Sequence, residues 1–483
     1  MGIKKREETR SSAIDGFRAI VHVSLIALHS AMLTSGHLPS EGPVWLGVKK
    51  NLVYTFFQAG GTQVDLMFML SGYLLVHKML NEHADGRQSL STIEFGFRRA
   101  LRFIPPLIAV SIIGVVLGDT WDGASERGEV PAIGRILSFL SFAANYIPPS
   151  VVGCFTLSLC WSCCVDLHAG ILLSFIIGLG KAGLTKADGV TLAFRLRWIF
   201  LALTIASMAI RALLFEPNSL NLFRLGQYSH FGLLQTDISY SWIQDFYKHT
   251  WLTKNTAVDL AQGYLEKMYN PTHTRIGPFF VGGVVACNVF LAVRSPPKSK
   301  TFLGIAFSWL FTLQALATLV LPCLPPEDDV PMVGQWIATA AVRTLSSAAA
   351  GFLLYRTLVP AEHGWHWKMF SSVLSNKIFS PIATLSYCSY LVHFRLLMEL
   401  CFRRDLHALI MSLPPHTGAA VGSAKQYIEF IPKLFVLGFV GSMAASFVLY
   451  NLVEKPCAKL ISRLLPGPAS RSAISNSDML KLD

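Results

Sequence analysis

The sequence predicts an all-α integral membrane protein of about ten transmembrane helices, with both termini cytosolic. Three observations carry that reading. Of its 483 residues, 52% are hydrophobic and only 14% charged, against roughly 25% charged in an ordinary soluble domain. Mean hydropathy is +0.47, which excludes a disordered chain, because disorder needs low hydrophobicity and high charge. Apolar runs long enough to cross a bilayer, about 20 residues each, recur from end to end.

In order, the predicted spans lie near 17–35, 58–77, 103–119, 157–180, 198–214, 276–293, 302–321, 336–355, 379–400 and 432–453. The first follows a polar, basic tail at 1–13; the third opens on Pro105 and Pro106; the fourth is interrupted by Asp166 and His168. Lys and Arg cluster at the N-terminus and in 78–102, 181–197, 294–300, 356–377 and 455 onward, segments that alternate along the chain. The positive-inside rule places those segments in the cytosol. One long connection, 215–275, holds Trp242 and Trp251 and is expected outside, as a binding lid or a loosely packed insertion. The membrane domain thus covers 14–456, and 457–483, with Ser residues, Pro466 and Pro468, reads as a largely disordered cytosolic tail. Plasma membrane and endomembranes are both open as its location.

A formal charge of +12 could suit a nucleic-acid partner only if the basic residues shared one soluble face. They are scattered between apolar segments, so no nucleic acid is expected, and the lipid bilayer is the first partner. Nine Cys are present, mostly inside apolar runs. Cys160, Cys163 and Cys164 share one span with no second ligand pair, so neither zinc nor any other metal is implied. Cys154 and Cys323 could pair if both their loops face an oxidising compartment.

An ionisable group inside the bilayer costs several kcal/mol and usually lines a cavity or path. In DGFRAIVHVSLIALHSAML, Arg18, His22 and His29 stand four and seven residues apart, on one helical face, with His29 about 16 Å beyond Arg18. Such imidazoles also serve simply to bond neighbouring helices. Two carboxylates are near by expectation. Asp65 is suited to a cap, an interhelical bond or a direct role, and Asp166 matches the depth of His29 and so could orient it. Arg98, Arg99 and Arg102, three and four residues apart, gather on one surface at the cytosolic mouth. Their forked donors suit phosphate, although positive-inside topology or lipid headgroups would also account for them.

These stretches, in this order, resemble the acyltransferase-3 superfamily of membrane O-acyltransferases, especially its eukaryotic branch named for nose resistance to fluoxetine. The opening helix carries the family's Arg and His at Arg18 and His29. VDLMFMLSGYLL resembles its second helix through Asp65, Ser71, Gly72 and Tyr73, RRALRFIPP its Arg-rich third, and CWSCCVDL its Trp-led acidic segment at Trp161 and Asp166. YNPTHTRIGPFFVGGVVA, with Arg275, KIFSPIATLSYCSYLVHF, with Tyr387 and His393, and NLVEKP, with Glu454, resemble later family segments. No counterpart of the soluble domain that often precedes this region in the animal branch is expected. His168, Ala169 and Gly170 replace Gln and aromatic residues after the acidic position, and Phe394 replaces the usual Pro after His393.

The resemblance implies transfer of an acyl group from acyl-coenzyme A, a co-substrate and not a bound cofactor, to a hydroxyl of a carbohydrate, lipid or small hydrophobic acceptor. His29, Asp166 and Arg18 would be catalytic, with His29 as general base. Arg98, Arg99 and Arg102 would bind the donor, and His22, Asp65, Ser71, Tyr73, Trp161, Arg275, Tyr387, His393 and Glu454 would support them. The competing reading is a non-enzymatic carrier or permease for lipids or hydrophobic compounds, which also needs spans and intramembrane charge.

Overall fold

The computed structural model describes residues 2–35, 48, 51–58, 62–87, 91–116, 137, 139–146, 160–184, 188–214, 270–294, 332–359, 365–402 and 424–465. Among them every long element is helical. These are α1 (Gly2–Ser35), α2 (Leu52–Gln58), α3 (Gln63–Ala84), α4 (Thr92–Val116), α5 (Trp161–Gly180), α6 (Gly189–Leu213), α7 (Thr272–Arg275), α8 (Gly277–Arg294), α9 (Met332–Leu358), α10 (Trp365–Leu374), α11 (Phe379–Phe402), α12 (Ala424–Leu449) and α13 (Lys455–Leu464). A π-helical turn, Tyr450–Glu454, joins the last two.

Among the described residues, five stretches are long and apolar enough to cross a membrane: Ser12–Thr34 of α1, α5, α6, α8 and the run Lys425–Leu464. Their outward faces carry bare apolar side chains, such as Ile205 and Phe447, each about 60% exposed, as lipid contact requires. The predicted span 302–321, most of the loop (215–269) and Cys154 and Cys323 lie outside the described residues.

Helices in lipid associate by close packing and interhelical hydrogen bonds, since lipid is as apolar as their side chains. α3 and α8 illustrate the first of these. A Cβ on Gly282 would overlap the Met69 carbonyl, and one on Gly72 would overlap the Phe279 carbonyl, so the two backbones touch. Around this pair α5, α6 and α9 build one core with Phe200, Phe279 and Phe290. A second core joins α1, α11 and α12 through Ile26, Leu33, Leu397 and Ile431. A third joins α4, α5 and α11 through Leu107, Cys164 and Leu391. α1 belongs to two of the cores, because Val21 and Leu25 face the first while Ile26 and Leu33 face the second.

Several boundaries differ from those read in the sequence. α1 begins at Gly2, so residues 2–13 extend the first helix. α4 runs unbroken through Pro105 and Pro106 and starts at Thr92, which puts the three Arg residues inside the helix. α6 starts early because the Asp188 carboxylate caps it, accepting from the Thr191 N–H at 3.1 Å. Asn270–Arg275, expected in the outer loop, is core: Arg275 is fully buried. The closing helix reaches Leu464, well past the expected end near 453.

Gly282→Ala is therefore expected to cost about 1–3 kcal/mol, the usual penalty of overpacking, and to lower the melting temperature in detergent. Gly178→Ala, where an added Cβ meets nothing within 4 Å, should leave it unchanged. Equal melting of the two variants would refute the close approach.

Candidate active site

Three imidazoles meet inside the bundle. His29 Nδ1 of α1 and His393 Nε2 of α11 lie 2.8 Å apart, at hydrogen-bond distance, with their rings stacked at 5.0 Å between centroids. His22, two turns earlier on the same face of α1, stands edge-on to His393 at 6.1 Å. His22 and His393 are sealed, whereas His29 keeps 6% of its surface. His393 Nδ1 lies 3.0 Å from the Ser389 carbonyl and 2.9 Å from that of Tyr390. The Ser162 hydroxyl of α5 donates to the Tyr390 hydroxyl at 2.7 Å, which ties a third helix to the cluster.

Asp166 does not join this group. Its Oδ2 receives Arg99 Nε at 2.9 Å and Arg99 Nη2 at 2.6 Å, and its Oδ1 receives the Ser71 hydroxyl at 2.5 Å. Arg99 Nη2 also donates to Ser71 Oγ at 2.6 Å, closing a triangle across α3, α4 and α5. The pairing expected with His29 is not made, since both Asp166 oxygens are engaged by Arg99 and Ser71. α5 begins inside the bundle, with Ser162 already beside Tyr390, one turn short of His393. Asp166 lies four residues, about 6 Å of helix, beyond Ser162.

The Arg cluster is likewise divided. Arg98 turns to Glu94 on its own helix, 2.7 Å away, and to the Leu465 carbonyl beyond α13. Arg99 is held by Asp166, between the rings of Phe95 and Phe103. Arg102 alone presents most of its side chain, 68% exposed, with Glu454 as a loose partner at 3.8 Å. Adjacent residues on a helix point 100° apart, so Arg98 and Arg99 follow carboxylates on different sides. Arg18 is 31% exposed, 4.0 Å from Asp15, and close enough to Arg102 for their charges to repel. Arg18 and Arg102 therefore form a rim of two cations midway along α1, from which His22 and His29 lead on toward its C-terminal end.

The remaining expected residues build the scaffold. Asp65, fully buried, receives Arg275 Nη1 at 2.7 Å on one oxygen and Arg343 Nη1 at 2.8 Å on the other. Trp161 stacks under Arg275 at 4.9 Å. Tyr73 stacks on His77. The Tyr387 hydroxyl donates to the Phe103 carbonyl at 3.0 Å, near the two prolines of α4. Glu454 is buried and accepts from the Cys388 thiol at 3.0 Å. His168 shares the Thr272 hydroxyl with Asn145, each at 2.9 Å.

Sequence reasoning overlooked Arg343 and Arg211 as members of the scaffold. Arg211, buried, donates to the Thr274 carbonyl at 2.8 Å. The signal was a cation within an apolar run, but a run gives no hint of its partner. Among the described residues no group of three or more His, Cys, Asp or Glu is gathered for a metal ion.

Residues 11–451 match one family model, described as an acyltransferase domain. Comparison with curated proteins and with solved structures gives no match.

Asp65→Asn leaves two buried guanidinium groups facing a neutral amide and is expected to cost about 3–5 kcal/mol, the range for breaking a buried ion pair. Thermal unfolding in detergent reads this out. Asp85→Asn, at an exposed pair with Arg294, should melt like the unaltered protein; equal losses would mean that Asp65 is no anchor.

Proposed function

Because the chain belongs to the acyltransferase-3 family, and is thus a membrane acyltransferase that moves groups other than aminoacyl groups, we propose that it transfers an acyl group from acyl-coenzyme A to a hydroxyl of a carbohydrate, lipid or small hydrophobic acceptor. One observation carries the reading: His29 is the least sealed of three buried imidazoles and shares a helix face with Arg18, about 16 Å away across roughly three turns. That distance suits a donor whose phosphates rest at the rim while its thioester reaches inward.

Arg18 and Arg102 bind the phosphates. Guanidinium groups that repel one another lose that repulsion when an anion lies between them, and their forked donors match phosphate oxygens. Arg98 and Arg99 are engaged by Glu94 and Asp166, so they position α4 and do not meet the donor. Asp166 and Ser71 act through Arg99, not on His29.

The acceptor's hydroxyl proton goes to a ring nitrogen of His29, and its oxygen forms a bond to the acyl carbonyl carbon. The carbon–sulfur bond breaks, and the thiolate leaves as coenzyme A thiol with the proton returned from the imidazolium. A neutral imidazole suits both halves, since the lone pair on one ring nitrogen takes the proton and the imidazolium then gives it back. The rim faces the cytosol in this reading, so the spent coenzyme leaves by the way it arrived.

Purified protein in lipid should release free coenzyme A from labelled acetyl- or longer acyl-coenzyme A. His29→Ala should lower turnover by about 10²–10⁴-fold at unchanged abundance, and undiminished release would overturn its role as base. Arg102→Ala should raise the KM for the donor about tenfold, the loss of one charge-assisted contact, with kcat little altered. An unchanged KM would reduce the rim to a topological signal.

A further inference from the structure

We infer that His393 is a positioning residue, a neutral imidazole whose backbone-held ring fixes the tautomer of His29 and presents His29 Nε2 as the nitrogen that takes the proton. The inference rests on the reading of His29 as base and adds to it the group that replaces the expected carboxylate.

A carbonyl oxygen can only accept, so the contacts of His393 Nδ1 with the Ser389 and Tyr390 carbonyls, at 3.0 and 2.9 Å, require a proton on that nitrogen. A neutral imidazole has one N–H, which leaves a lone pair on His393 Nε2. The 2.8 Å contact with His29 Nδ1 then requires that His29 donate. With its proton on Nδ1, His29 holds its own lone pair on Nε2. The opposite arrangement would make His393 a cation. Its ring is fully buried, and among the described residues no carboxylate is bonded to it or to the imidazoles beside it, so a charge there would be uncompensated.

In a serine-hydrolase triad the orienting task falls to a carboxylate. Here two backbone carbonyls of α11 perform it through an intervening ring. When His29 Nε2 takes the acceptor's proton, the imidazolium keeps its Nδ1–H on the His393 lone pair, now as a charge-assisted bond. His393 Nδ1–H stays on its carbonyls, and no proton moves along the pair. The proton on His29 Nε2 passes to the departing thiolate, which restores the starting tautomers. His22 takes no part, because among the described residues neither of its ring nitrogens has a hydrogen-bond partner.

The test uses the full-length chain in lipid nanodiscs, comparing His393→Leu, His393→Gln and His29→Ala in release of coenzyme A from acetyl- and longer acyl-coenzyme A. His393→Leu should lower kcat about 10²–10³-fold with the donor KM within about twofold. His393→Gln, which restores an acceptor for His29 Nδ1–H, should recover at least about tenfold of that loss. Nitrogen-15 NMR of histidine-labelled protein, with His29 identified by its disappearance in His29→Gln, should show His29 as the Nδ1–H tautomer. That signal should become a tautomer mixture in His393→Leu. Unaltered kcat in His393→Leu, or a proton on His29 Nε2 in the unaltered protein, overturns the inference. Should His29→Ala keep full turnover, the base assignment fails by itself, and the nitrogen-15 spectrum still decides the tautomer. The same spectrum of the unaltered protein decides the matter if His393→Leu does not fold.

Discussion

A carboxylate sealed from both water and lipid must find its counter-charges within the bundle, and the placing of Asp65 governs much of what surrounds it. Two guanidinium groups reach it from different parts of the chain, Arg275 and Arg343, and so lock α3, α7 and α9 together. Arg275 lies over Trp161, the first residue of α5, which fixes where that helix begins. From there the consequences are a matter of counting along a helix. Ser162 falls against Tyr390 on α11, and Asp166, one turn later, falls against Arg99 on α4. The imidazole pair is thus positioned through a relay of polar contacts that starts at a charge lying outside the pair itself.

That relay also separates two tasks that one residue might have been asked to perform. Charge neutralisation is left to Asp65 and Asp166, both engaged by Arg residues. Among the described residues no fixed charge is bonded to the imidazole pair, so a neutral ring there keeps its lone pair. α1 connects the two regimes. It belongs to both large cores, and its polar face opens at one end on Arg18, where solvent reaches, and closes at the other on His29. Small movements of α1 would therefore act on Arg18 and on His29 together.

The helices were legible because apolar runs of lipid-spanning length are written directly in the chain. So was the grouping of Arg18, His22 and His29, since helical spacing converts three positions into one face. Partnerships were not legible. Span boundaries alone put Asp166 level with His29, and nothing in CWSCCVDL records that its oxygens go to Ser71 and Arg99. Arg343 is a cation in an apolar segment, but its partner lies 278 residues away, and the segment itself gives no hint of it. The four residues of α7 were indistinguishable from loop, because a single turn has no periodicity to detect. His393 was noticed, but as one polar residue among several, since its value depends on two carbonyls that every residue possesses.

The π-helical turn at Tyr450–Glu454 has a consequence for how this chain tolerates change. One extra residue in the turn shifts the phase of everything beyond it by about 100° relative to an uninterrupted helix. Glu454 uses that shift to turn back toward Cys388 and Arg102, while α13, which follows without a break, has no buried residue. A continuous helix would oblige both halves to keep one common stripe. With the phase reset, α12 answers to its packing against α1 and α11, and α13 answers to whatever lies at the surface. The two halves of a single 40-residue rod can therefore diverge in composition independently, with the turn between them as the segment least free to vary.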